Sequence, residues 1–335
     1  MAAAPLVSVI VPNYNYGNVL SLCLRSVQAQ TYSPLEIVFV DDCSTDDSVR
    51  IAETLGVPVT RTTSNVGVSA ARNLGATVAS GEILFFLDSD IALDPGAVAA
   101  AVAILRSDPK IGAVCGNFET VPLIRDSLVK EYRNLFRHYY FRAAEGPISG
   151  FLPTAMIAIP MGVWEEVGPF STHLTQSEGA DVGERLADRY EVRLTSAVRG
   201  CHDDDPTLRV ALRKVFIRTR VQVPFFLQRR YAAGVIGSPE SGASLTTALT
   251  AATLPLPFVL GWWWAALPVL LFAACLTIDR RMYRFVFGCR GVPFGLFFGA
   301  VHFLVNLTIA AGAAVGIGQW LVSRSFRRLY AKAPA

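Results

Sequence analysis

The chain has 335 residues, of which 52% are hydrophobic and only 17% are charged, and its formal net charge is +3. Soluble domains carry about 25% charged residues and disordered chains are more polar still, so disorder is excluded and a purely soluble protein is disfavoured. Residues 1–240 contain 22 basic and 26 acidic residues, whereas residues 241–335 contain 8 basic and 1 acidic. The net charge therefore averages two unlike parts and gives no indication of nucleic-acid binding.

The first 120 residues alternate between strand-like and helix-like segments. Continuous β-branched runs predict strands buried on both faces, and apolar residues three or four apart predict helices between them. We expect Ser44 or Thr45 to cap the second helix and Pro95 to open the fourth. The predicted strands are residues 7–11, 36–40, 57–61, 83–87 and 111–115, and the predicted helices are residues 18–30, 46–55, 68–79 and 96–106. Such β-α-β repeats predict a mostly parallel α/β sheet with helices on both faces, whose ligands bind at the carboxyl ends of the strands.

The N-terminal sequence MAAAPLVSVIVP lacks a basic region, and its apolar run ends at Pro12. We interpret it as a first buried strand and not as a signal peptide, which predicts a cytoplasmic N-terminal part. Six cysteines are scattered without a Cys-x-x-Cys pair, a pattern that favours a reducing compartment over a zinc site or a disulfide framework.

The middle of the chain is less regular. Beyond residue 120 we expect a helix at 125–142, strands at 154–159 and 191–198, and a short helix at 182–189. Seven basic residues and no acidic one lie between Arg209 and Arg230, interleaved with apolar residues. Such a segment is typical of a helix at a membrane surface, and a solvated basic helix packed on the domain is the alternative.

Two long uncharged segments follow, Leu254–Ile278 with 25 residues and Val292–Val322 with 31. About 20 apolar residues cross a bilayer as a helix, so two transmembrane helices are the first interpretation. If the first segment is broken near Pro255, there would be three transmembrane helices. The alternative to transmembrane helices is that both segments are helices buried in a protein core. We interpret His302 and Asn306, one turn apart in the second segment, as partners in helix–helix hydrogen bonds. The predicted organisation is a catalytic domain over residues 1–205, a membrane-interface segment over 206–240, a transmembrane region over 241–323 and a basic tail over 324–335.

The ends of the predicted strands carry polar groups that suit a metal site. Asp88 and Asp90 follow the fourth strand directly, and paired carboxylates are hard oxygen ligands that suit Mg²⁺ or Mn²⁺. A divalent metal there would neutralise charge on a diphosphate leaving group. Asp42 follows the second strand. Its carboxylate either accepts hydrogen bonds from a nucleobase or a ribose, or it places a negative charge at the N-terminus of the following helix. Arg72 pairs either with a phosphate or with Asp88.

Four segments, VSVIVPNYN, FVDDCSTDDS, SNVGVSAARNLGA and GEILFFLDSD, resemble in order and spacing the family 2 glycosyltransferases of the GT-A fold. The resemblance covers residues 5–120 closely and residues 150–202 more loosely. It implies a Rossmann-like GT-A domain, a nucleotide-sugar donor (UDP-linked in preference to GDP-linked) and an inverting displacement at the anomeric carbon. It places Pro12, Tyr14 and Asp42 near the base, Asn65 and Arg72 near the ribose or phosphates, and Asp88 and Asp90 at the ribose and a divalent metal.

An inverting transfer to a hydroxyl needs a base near the acceptor oxygen. The family commonly supplies it from a Glu-Asp pair before an Arg-Leu, and the matching positions here are Glu178 and Gly179. Three alternatives stay open. The first is that Glu178 or Asp181 is the base instead. The second is that the acceptor is already an anion such as a lipid phosphate and needs no base, and the third is that the chain is inactive. Asp181 is otherwise a cap on the 182–189 helix. His202 resembles the histidine that closes over the pyrophosphate or metal in many relatives.

These observations predict a glycosyltransferase integral to the cell's inner or plasma membrane, with its catalytic domain in the cytoplasm. It would use a nucleotide-sugar donor, a divalent metal and a lipid-linked acceptor. The basic segment and the apolar spans would contact membrane lipids and hold the site next to the bilayer, which raises the effective concentration of that acceptor. A polyprenyl-phosphate glycosyltransferase is the second hypothesis. A nucleotidyltransferase would carry a glycine-rich basic loop after the first strand, whereas residues 12–18 contain no Lys or Arg. A non-catalytic membrane scaffold is the remaining class.

Overall fold

The computed structural model describes residues 3–149, 152–174, 178–229 and 241–328. They form two compact units. The described parts of residues 3–126 and 140–204 make the first unit, which contains the sheet, and the described parts of residues 127–139 and 205–328 make the second, which is helical.

Nine strands in the described residues form one sheet, in the order β3-β2-β1-β4-β8-β6-β9-β5, with β7 beside β9. The strands are β1 (Val7–Asn13), β2 (Leu35–Asp41), β3 (Val59–Arg61), β4 (Ile83–Leu87), β5 (Ile91–Leu93), β6 (Ile111–Phe118), β7 (Gly146–Ile148), β8 (Met156–Pro160) and β9 (Glu191–His202). The helices are α1 (Gly17–Gln28), α2 (Ser48–Thr54), α3 (Val68–Val78), α4 (Ala97–Ser107), α5 (Leu128–Ala143), α6 (Met161–Val167) and α7 (Glu178–Ala187).

The sheet is mixed, but most of its strands point one way. Strands β1, β2, β3 and β4 are parallel neighbours, β8 runs antiparallel between β4 and β6, and β9 is parallel to β6. The predicted mostly parallel α/β sheet is therefore confirmed. Because Asn13 at the end of β1 lies opposite Asp41 at the end of β2, the loops that follow these strands share one edge.

Several local predictions are wrong. Helix α2 begins at Ser48, and Asp46 Oδ1 accepts a hydrogen bond from the Ser48 amide, so neither Ser44 nor Thr45 caps it. Helix α4 begins at Ala97, two residues after the proline expected to open it. The short elements β5, β7 and α6 had no prediction. Strands β5 and β7 have three residues each and depend on partners that are distant in the sequence.

One glycine sets how closely α3 lies on the sheet. A Cβ atom at Gly75 would lie 2.4 Å from Ile10 Cγ2 and 3.2 Å from Val40 Cγ2. Ile10 is fully buried in β1, as are all seven residues of that strand. No side chain therefore fits at position 75, and α3 lies close enough to the sheet to hold Arg72 near the end of β4.

The second unit contains the first part of α5 together with α8 (Leu208–Arg229), α9 (Ser241–Thr253), α10 (Leu256–Leu260), α11 (Ala266–Ile278), α12 (Arg280–Val322) and α13 (Arg324–Arg327). The single helix predicted over residues 254–278 is wrong, because the chain breaks at Gly261, whose φ is +105°. Whether two or three of these segments cross a membrane stays a prediction. Helix α12 is likewise two helices joined at Gly291, where φ is +76°.

Two of these segments are long and apolar enough to cross a membrane by length and composition alone, Gly242–Leu260 and Arg280–Val322. The segment Trp262–Ile278 is apolar but shorter. Large apolar side chains at the break near Gly261 are open to the surroundings, with Trp263 95% exposed and Phe258 79% exposed. These features are weak evidence for membrane association.

The basic helix α8 packs along α12. A Cβ atom at Gly312 would lie 2.9 Å from the Phe216 carbonyl oxygen, and one at Gly316 would lie 2.7 Å from the Arg220 carbonyl oxygen. The two helices therefore touch backbone to backbone. The remainder of the predicted interface segment, residues 230–240, lies outside the described residues.

Buried polar side chains join the helices of this unit. The His302 ring is fully buried, with Nδ1 3.1 Å from the Tyr132 hydroxyl and Nε2 3.0 Å from Asp279 Oδ2. The Ser244 hydroxyl donates to Asn306 Oδ1 over 2.8 Å. The predicted helix–helix hydrogen bonds of His302 and Asn306 are therefore confirmed.

We expect Gly75→Ala to destabilise the protein, because the new methyl group would press on Ile10 and Val40. Overpacking of this kind costs about 1–3 kcal/mol. Gly162→Ala is the matched control, since it is also helical and has no atom within 4 Å of the added carbon. Thermal unfolding of the detergent-solubilised full chain measures both variants, and equal melting temperatures would contradict the packing described here.

Candidate active site

Two loops at the carboxyl edge of the sheet are tied together by Ser44. Its hydroxyl oxygen accepts from the Asn15 amide over 3.0 Å and from Asn13 Nδ2 over 3.2 Å, and the Thr45 amide donates to Asn15 Oδ1 over 2.8 Å. Asn15 adopts a positive φ of 58°, a conformation that asparagine tolerates better than most residues. The loop after β1 is thereby fixed, and it carries the 44% exposed ring of Tyr14.

Asp42, which is 3% exposed, organises the loop after β3. Its Oδ1 accepts from the Val66 amide and from the Thr62 hydroxyl, both over 2.9 Å, and its Oδ2 accepts from the Gly67 amide over 2.8 Å. The loop carries Asn65, which is exposed, and leads directly into α3. The carboxylate thus fixes a neighbouring loop, a role that the sequence did not suggest.

Arg72 lies at the centre of a buried ionic cluster. It is 3% exposed, and its Nη2 lies 2.6 Å from Asp88 Oδ1 while its Nη1 lies 3.6 Å from Glu178 Oε1. Its guanidinium carbon is 5.4 Å from the centroid of the Phe170 ring. Of the two sequence interpretations of Arg72, the structure contains the pairing with Asp88. The cluster connects α3, the end of β4 and α7.

Asp90 and His202 meet because β5, which follows Asp90 directly, pairs antiparallel with the end of β9. Ile91 lies opposite His202, so Asp90 Oδ2 is 3.4 Å from His202 Nε2. The other ring nitrogen, Nδ1, is 3.6 Å from Asp204 Oδ2. Asp90 Oδ1 is buried and has no hydrogen-bond partner in the structure.

A divalent cation fits this pair. A buried carboxylate oxygen without a donor is costly unless a cation satisfies it, and a carboxylate beside an imidazole is a donor set that Mn²⁺ accepts. Across the ranges that the structure describes, however, no three His, Cys, Asp or Glu side chains are grouped as a complete metal site. Phosphate oxygens of a bound substrate are the ligands that would complete the coordination of a metal held by Asp90 and His202.

Cys23 lies behind the two aspartates, with its Sγ 3.7 Å from the Asp88 carbonyl oxygen. Burial first, and then the negative charges of Asp90 and Asp88, raise the pKa of the Cys23 thiol, although a backbone hydrogen bond opposes them. The thiol therefore stays protonated and is not a nucleophile.

Asp181 is tied to an arginine that holds the loop before α7. Its Oδ2 lies 3.0 Å from Arg185 Nη2, and Arg185 also donates to the carbonyl oxygens of Val167, Gly168 and Pro169. Helix α7 begins at Glu178 and not at residue 182, so Asp181 lies in its first turn and the interpretation of Asp181 as the cap is wrong.

The glycine at the family's usual Asp position is enforced by packing. A Cβ atom at Gly179 would lie 2.4 Å from the Leu152 carbonyl oxygen, and the Leu152 amide donates to the Gly179 carbonyl oxygen over 3.2 Å. The backbone at residue 152 therefore occupies the space that a side chain at residue 179 would need.

Asn73 is a positioning residue that the sequence reasoning missed. Its Nδ2 donates to the Phe170 carbonyl oxygen over 2.8 Å, and its Oδ1 accepts from the Phe170 amide over 2.9 Å. This pair of bonds fixes the loop that places the Phe170 ring beside Arg72. The available signal was an asparagine inside a helix, where this residue type is unfavourable without a specific partner.

The chain is similar to known glycosyltransferases. The model of the family "Glycosyl transferase family 2" matches residues 8–167. Glycosyltransferase AglE of Haloferax volcanii is 30% identical over 211 residues, which are 60% of this chain and 68% of that protein. The uncharacterized glycosyltransferase alr2836 of Nostoc sp. is 36% identical over 115 residues, and the match covers 32% of this chain. The chain covers about a third of the length of the first curated relatives, 35% and 37%.

Among solved structures, the fold is similar to that of the mannosyltransferase PcManGT from Pyrobaculum calidifontis, determined in complex with GDP-Man and Mn²⁺. The TM-score is 0.57 at 21% identity, and the match covers 96% of this chain and 88% of that chain. This likeness, together with the sheet order, confirms the predicted GT-A-like fold class.

We expect Gly179→Ala to lower stability, because its methyl group would collide with the Leu152 carbonyl oxygen and disturb the start of α7. The expected cost is about 1–3 kcal/mol. Gly162→Ala serves again as the control, and thermal unfolding of the full chain gives the comparison. A Gly179→Ala variant as stable as the parent would show that residue 152 gives way and that the position tolerates a side chain.

Proposed function

Because the chain belongs to glycosyl transferase family 2, we propose that it transfers a sugar from a nucleotide-sugar donor to a lipid-linked or membrane-associated acceptor. The observation that carries the proposal is the unpartnered, buried Oδ1 of Asp90 beside His202, at the same sheet edge as the Arg72–Asp88 pair. A site of this composition suits a diphosphate and a divalent cation.

Asp90 and His202 would hold Mg²⁺ or Mn²⁺, with Asp88 at the ribose and at the metal. A cation there would offset the negative charge that collects on the departing nucleoside diphosphate. Asp88 is 31% exposed even though Arg72 contacts one of its oxygens, so it is accessible to a ligand. The PcManGT structure contains Mn²⁺, which is consistent with this choice of metal.

The loops after β1 and β3 would bind the nucleotide. Pro12 and the exposed ring of Tyr14 would flank the base, and Asn65 would reach the ribose or phosphates. We propose that Asp42 acts there by fixing residues 62–67 through its three hydrogen bonds. We expect a UDP-sugar in preference to a GDP-sugar, whereas the PcManGT structure contains GDP-Man, so both nucleotides belong in any test.

The transfer would displace the nucleoside diphosphate with inversion at the anomeric carbon. For a hydroxyl acceptor the general base would be either Glu178, which matches the Glu of the family's pair, or Asp181 on the same helix. Arg72 would keep Asp88 oriented, while the Phe170 loop would exclude water from that side of the cluster.

The helical unit would hold the protein in a membrane with the catalytic unit on the cytoplasmic side. The apolar segments Gly242–Leu260 and Arg280–Val322 are long enough to cross it. In the described residues 205–229 the chain has six basic side chains and one acidic one, which suits the anionic lipids of a cytoplasmic leaflet.

Incubation of membranes containing the full chain with radiolabelled nucleotide sugars tests the proposed activity. We expect label to move into the lipid extract with one donor of the panel in the presence of Mn²⁺. Absence of transfer and of donor hydrolysis across UDP- and GDP-linked sugars would refute the proposal.

We expect Asp90→Ala to lower kcat at least about 100-fold, because a loss of about 3 kcal/mol of charge stabilisation corresponds to that factor. The variant should also bind Mn²⁺ more weakly when the metal is followed by electron paramagnetic resonance. Asp188→Ala, which changes an exposed aspartate just after α7, is the control. Unaltered turnover and unaltered Mn²⁺ affinity in Asp90→Ala would exclude a metal at this position.

We expect Asp42→Asn to raise the KM for the nucleotide sugar about tenfold or more, because the new amide cannot accept from donors that reach both carboxylate oxygens. The kcat should fall less than the KM rises. Asp108→Asn is the control, since Asp108 accepts from the Lys110 amide before β6, at the opposite edge of the sheet. A KM equal to the parent's would mean that the ordered loop does not contribute to donor binding.

A further inference from the structure

We infer that only the segments Gly242–Leu260 and Trp262–Ile278 cross the membrane, as a helical hairpin, and that Val292–Val322 lies in the plane of the cytoplasmic leaflet beside α8. The surface that α8 forms with the second part of α12 is then an interface with the lipids of one leaflet. This inference rests on the membrane attachment in the proposed function, and it goes further by naming the segments that cross. Length alone would let α12 cross as well.

The segments on either side of Gly261 pack against each other as antiparallel legs. The start of the first leg lies beside the end of the second, since a Cβ atom at Gly242 would be 3.5 Å from Ile278 Cδ1. Further along the legs, Thr247 Oγ1 is 3.1 Å from Cys275 Sγ. The two open ends of the hairpin are therefore adjacent, and the break at Gly261 is its tip.

The dimensions and composition of this hairpin suit a bilayer. Its legs have 19 and 17 residues. At 1.5 Å per residue they are about 28 Å and about 26 Å long, close to the hydrocarbon thickness of about 30 Å. No residue from Ser241 to Ile278 is charged. Three tryptophans follow the tip, and Trp263 is 95% exposed, which fits the membrane–water interface where tryptophan is enriched.

Arginines mark the open end of the hairpin as cytoplasmic. Residues 280–290 follow the second leg and carry four arginines and no acidic residue. Cytoplasmic loops of membrane proteins carry the excess of Lys and Arg. We therefore place the open end on the cytoplasmic side and the uncharged tip on the far side.

Helix α12 folds back at Gly291 and does not lead away from these arginines in one direction. Asp279, directly after the second leg, lies 3.0 Å from His302, although 23 residues separate them. The rings of Tyr283 and Phe298 meet edge to face, with their centroids 6.3 Å apart. The first eleven residues of the uncharged run thus lie alongside the arginine-bearing stretch, at the depth of the cytoplasmic headgroups.

The next turn of α12 meets the other leg at its open end. Asn306 accepts a hydrogen bond from Ser244, which is the fourth residue of α9. Because His302 and Asn306 are one helical turn apart, α12 contacts both legs near their cytoplasmic ends. Residue 306 therefore still lies near the cytoplasmic surface.

The remaining part of the run is bound to the basic helix α8. Residues 303–322 number twenty, which is enough to cross a bilayer by length. Gly312 lies against the Phe216 carbonyl, however, and Gly316 lies against the Arg220 carbonyl. Both contacts advance by four residues, so the two helices run parallel, and the middle of α8 lies at the same depth as the middle of this part of α12.

Helix α8 carries too much charge to enter the acyl core. Five basic side chains lie between Arg209 and Arg220. Arg218 is exposed and lies two residues from Phe216, about 200° around the helix axis, so it is on the face opposite α12. Charged side chains are costly at the bilayer centre and favourable beside anionic headgroups. The basic face of α8 and the uncharged α12 together make an amphipathic pair that suits one leaflet.

The basic tail supports the same arrangement. Residues 323–335 carry three Arg, one Lys and no acidic side chain. If Val292–Val322 crossed the membrane, these charges would be outside, against the usual distribution. If it lies in the plane, the tail and the arginines of residues 280–290 share the cytoplasmic side.

Labelling of cysteines from one side of a bacterial membrane tests this topology. The full chain carries Cys43→Ser, Cys201→Ser and Cys289→Ser, because these three of its cysteines are not buried. A single cysteine is then added at the tip as Trp263→Cys or in the tail as Ser325→Cys. A chain that keeps Cys289 is the cytoplasmic control.

In intact spheroplasts we expect a membrane-impermeant maleimide to label the tip cysteine at least about tenfold more than the tail cysteine, because the acyl core excludes the reagent. Lysis should bring the two to similar levels. The control at Cys289 should behave like the tail. Melting temperatures of the purified variants report their folding.

The depth of α12 is a second readout that does not depend on the first set of variants. Leu304, Val315 and Val322 are 40%, 42% and 83% exposed. Their spacings of 11 and 7 residues place them on one face of the helix. Spin labels at Leu304→Cys, Val315→Cys and Val322→Cys report depth through collisions with oxygen and with a water-soluble nickel chelate. We expect depths within about 5 Å of one another, whereas a crossing helix would spread them over about 27 Å.

Maleimide on Ser325→Cys before lysis would overturn the inference, as would spin-label depths spread across the acyl core. Absence of label on Trp263→Cys before lysis would also overturn it, because the hairpin would then not reach the far side. Three spin labels accessible to nickel and not to oxygen would mean that this surface faces water or another protein. Release of the chain from membranes by alkaline carbonate is a different result, because it removes the membrane attachment of the proposed function itself.

Discussion

A guanidinium group with almost no access to water holds the carboxyl edge of the sheet together. Burying a charge is costly unless opposite charges surround it, and Arg72 finds Asp88 on one side and Glu178 on the other. These partners belong to the end of β4 and to the start of α7, so each element is needed to keep the others in place. Gly75 completes the arrangement, because its missing side chain lets α3 approach the sheet.

The neighbouring loops are also held by side chains, which form hydrogen bonds with backbone amides. Asp42 fixes the loop after β3, Ser44 joins the loops after β1 and β2, and Asn73 fixes the loop before α7. Each bond spans at least 20 residues of sequence. Side chains of the protein itself thus fix this edge of the sheet, which is the condition for precise positioning of a ligand.

Much of the first unit was predictable because its signals are local. Buried strands read as unbroken β-branched runs, and parallel strands bring their carboxyl ends to one edge, so the grouping of Asp88 and Asp90 with the other strand ends followed from the pattern. The partners of Asp42 and the pairing of Ile91 with His202 were not predictable, because they depend on contacts between distant segments. The sequence marked Gly179 as a departure from the family, but only the proximity of Leu152 explains it. Composition identified the apolar segments, whereas the break at Gly261 had no signal that separated it from other glycines.

The bend at Gly291 has a consequence for how the last long segment meets its surroundings. The eleven residues from Arg280 to Arg290 carry four arginines, and the 31 residues that follow, Val292–Val322, carry no charge. The backbone kinks between these two stretches at residue 291, where φ is +76°. A residue with a Cβ atom would adopt this left-handed conformation only under strain. Because residue 291 is a glycine, with no Cβ atom, the chain can bend there. This bend sets the direction of the helix that follows the arginines, which is about 46 Å long.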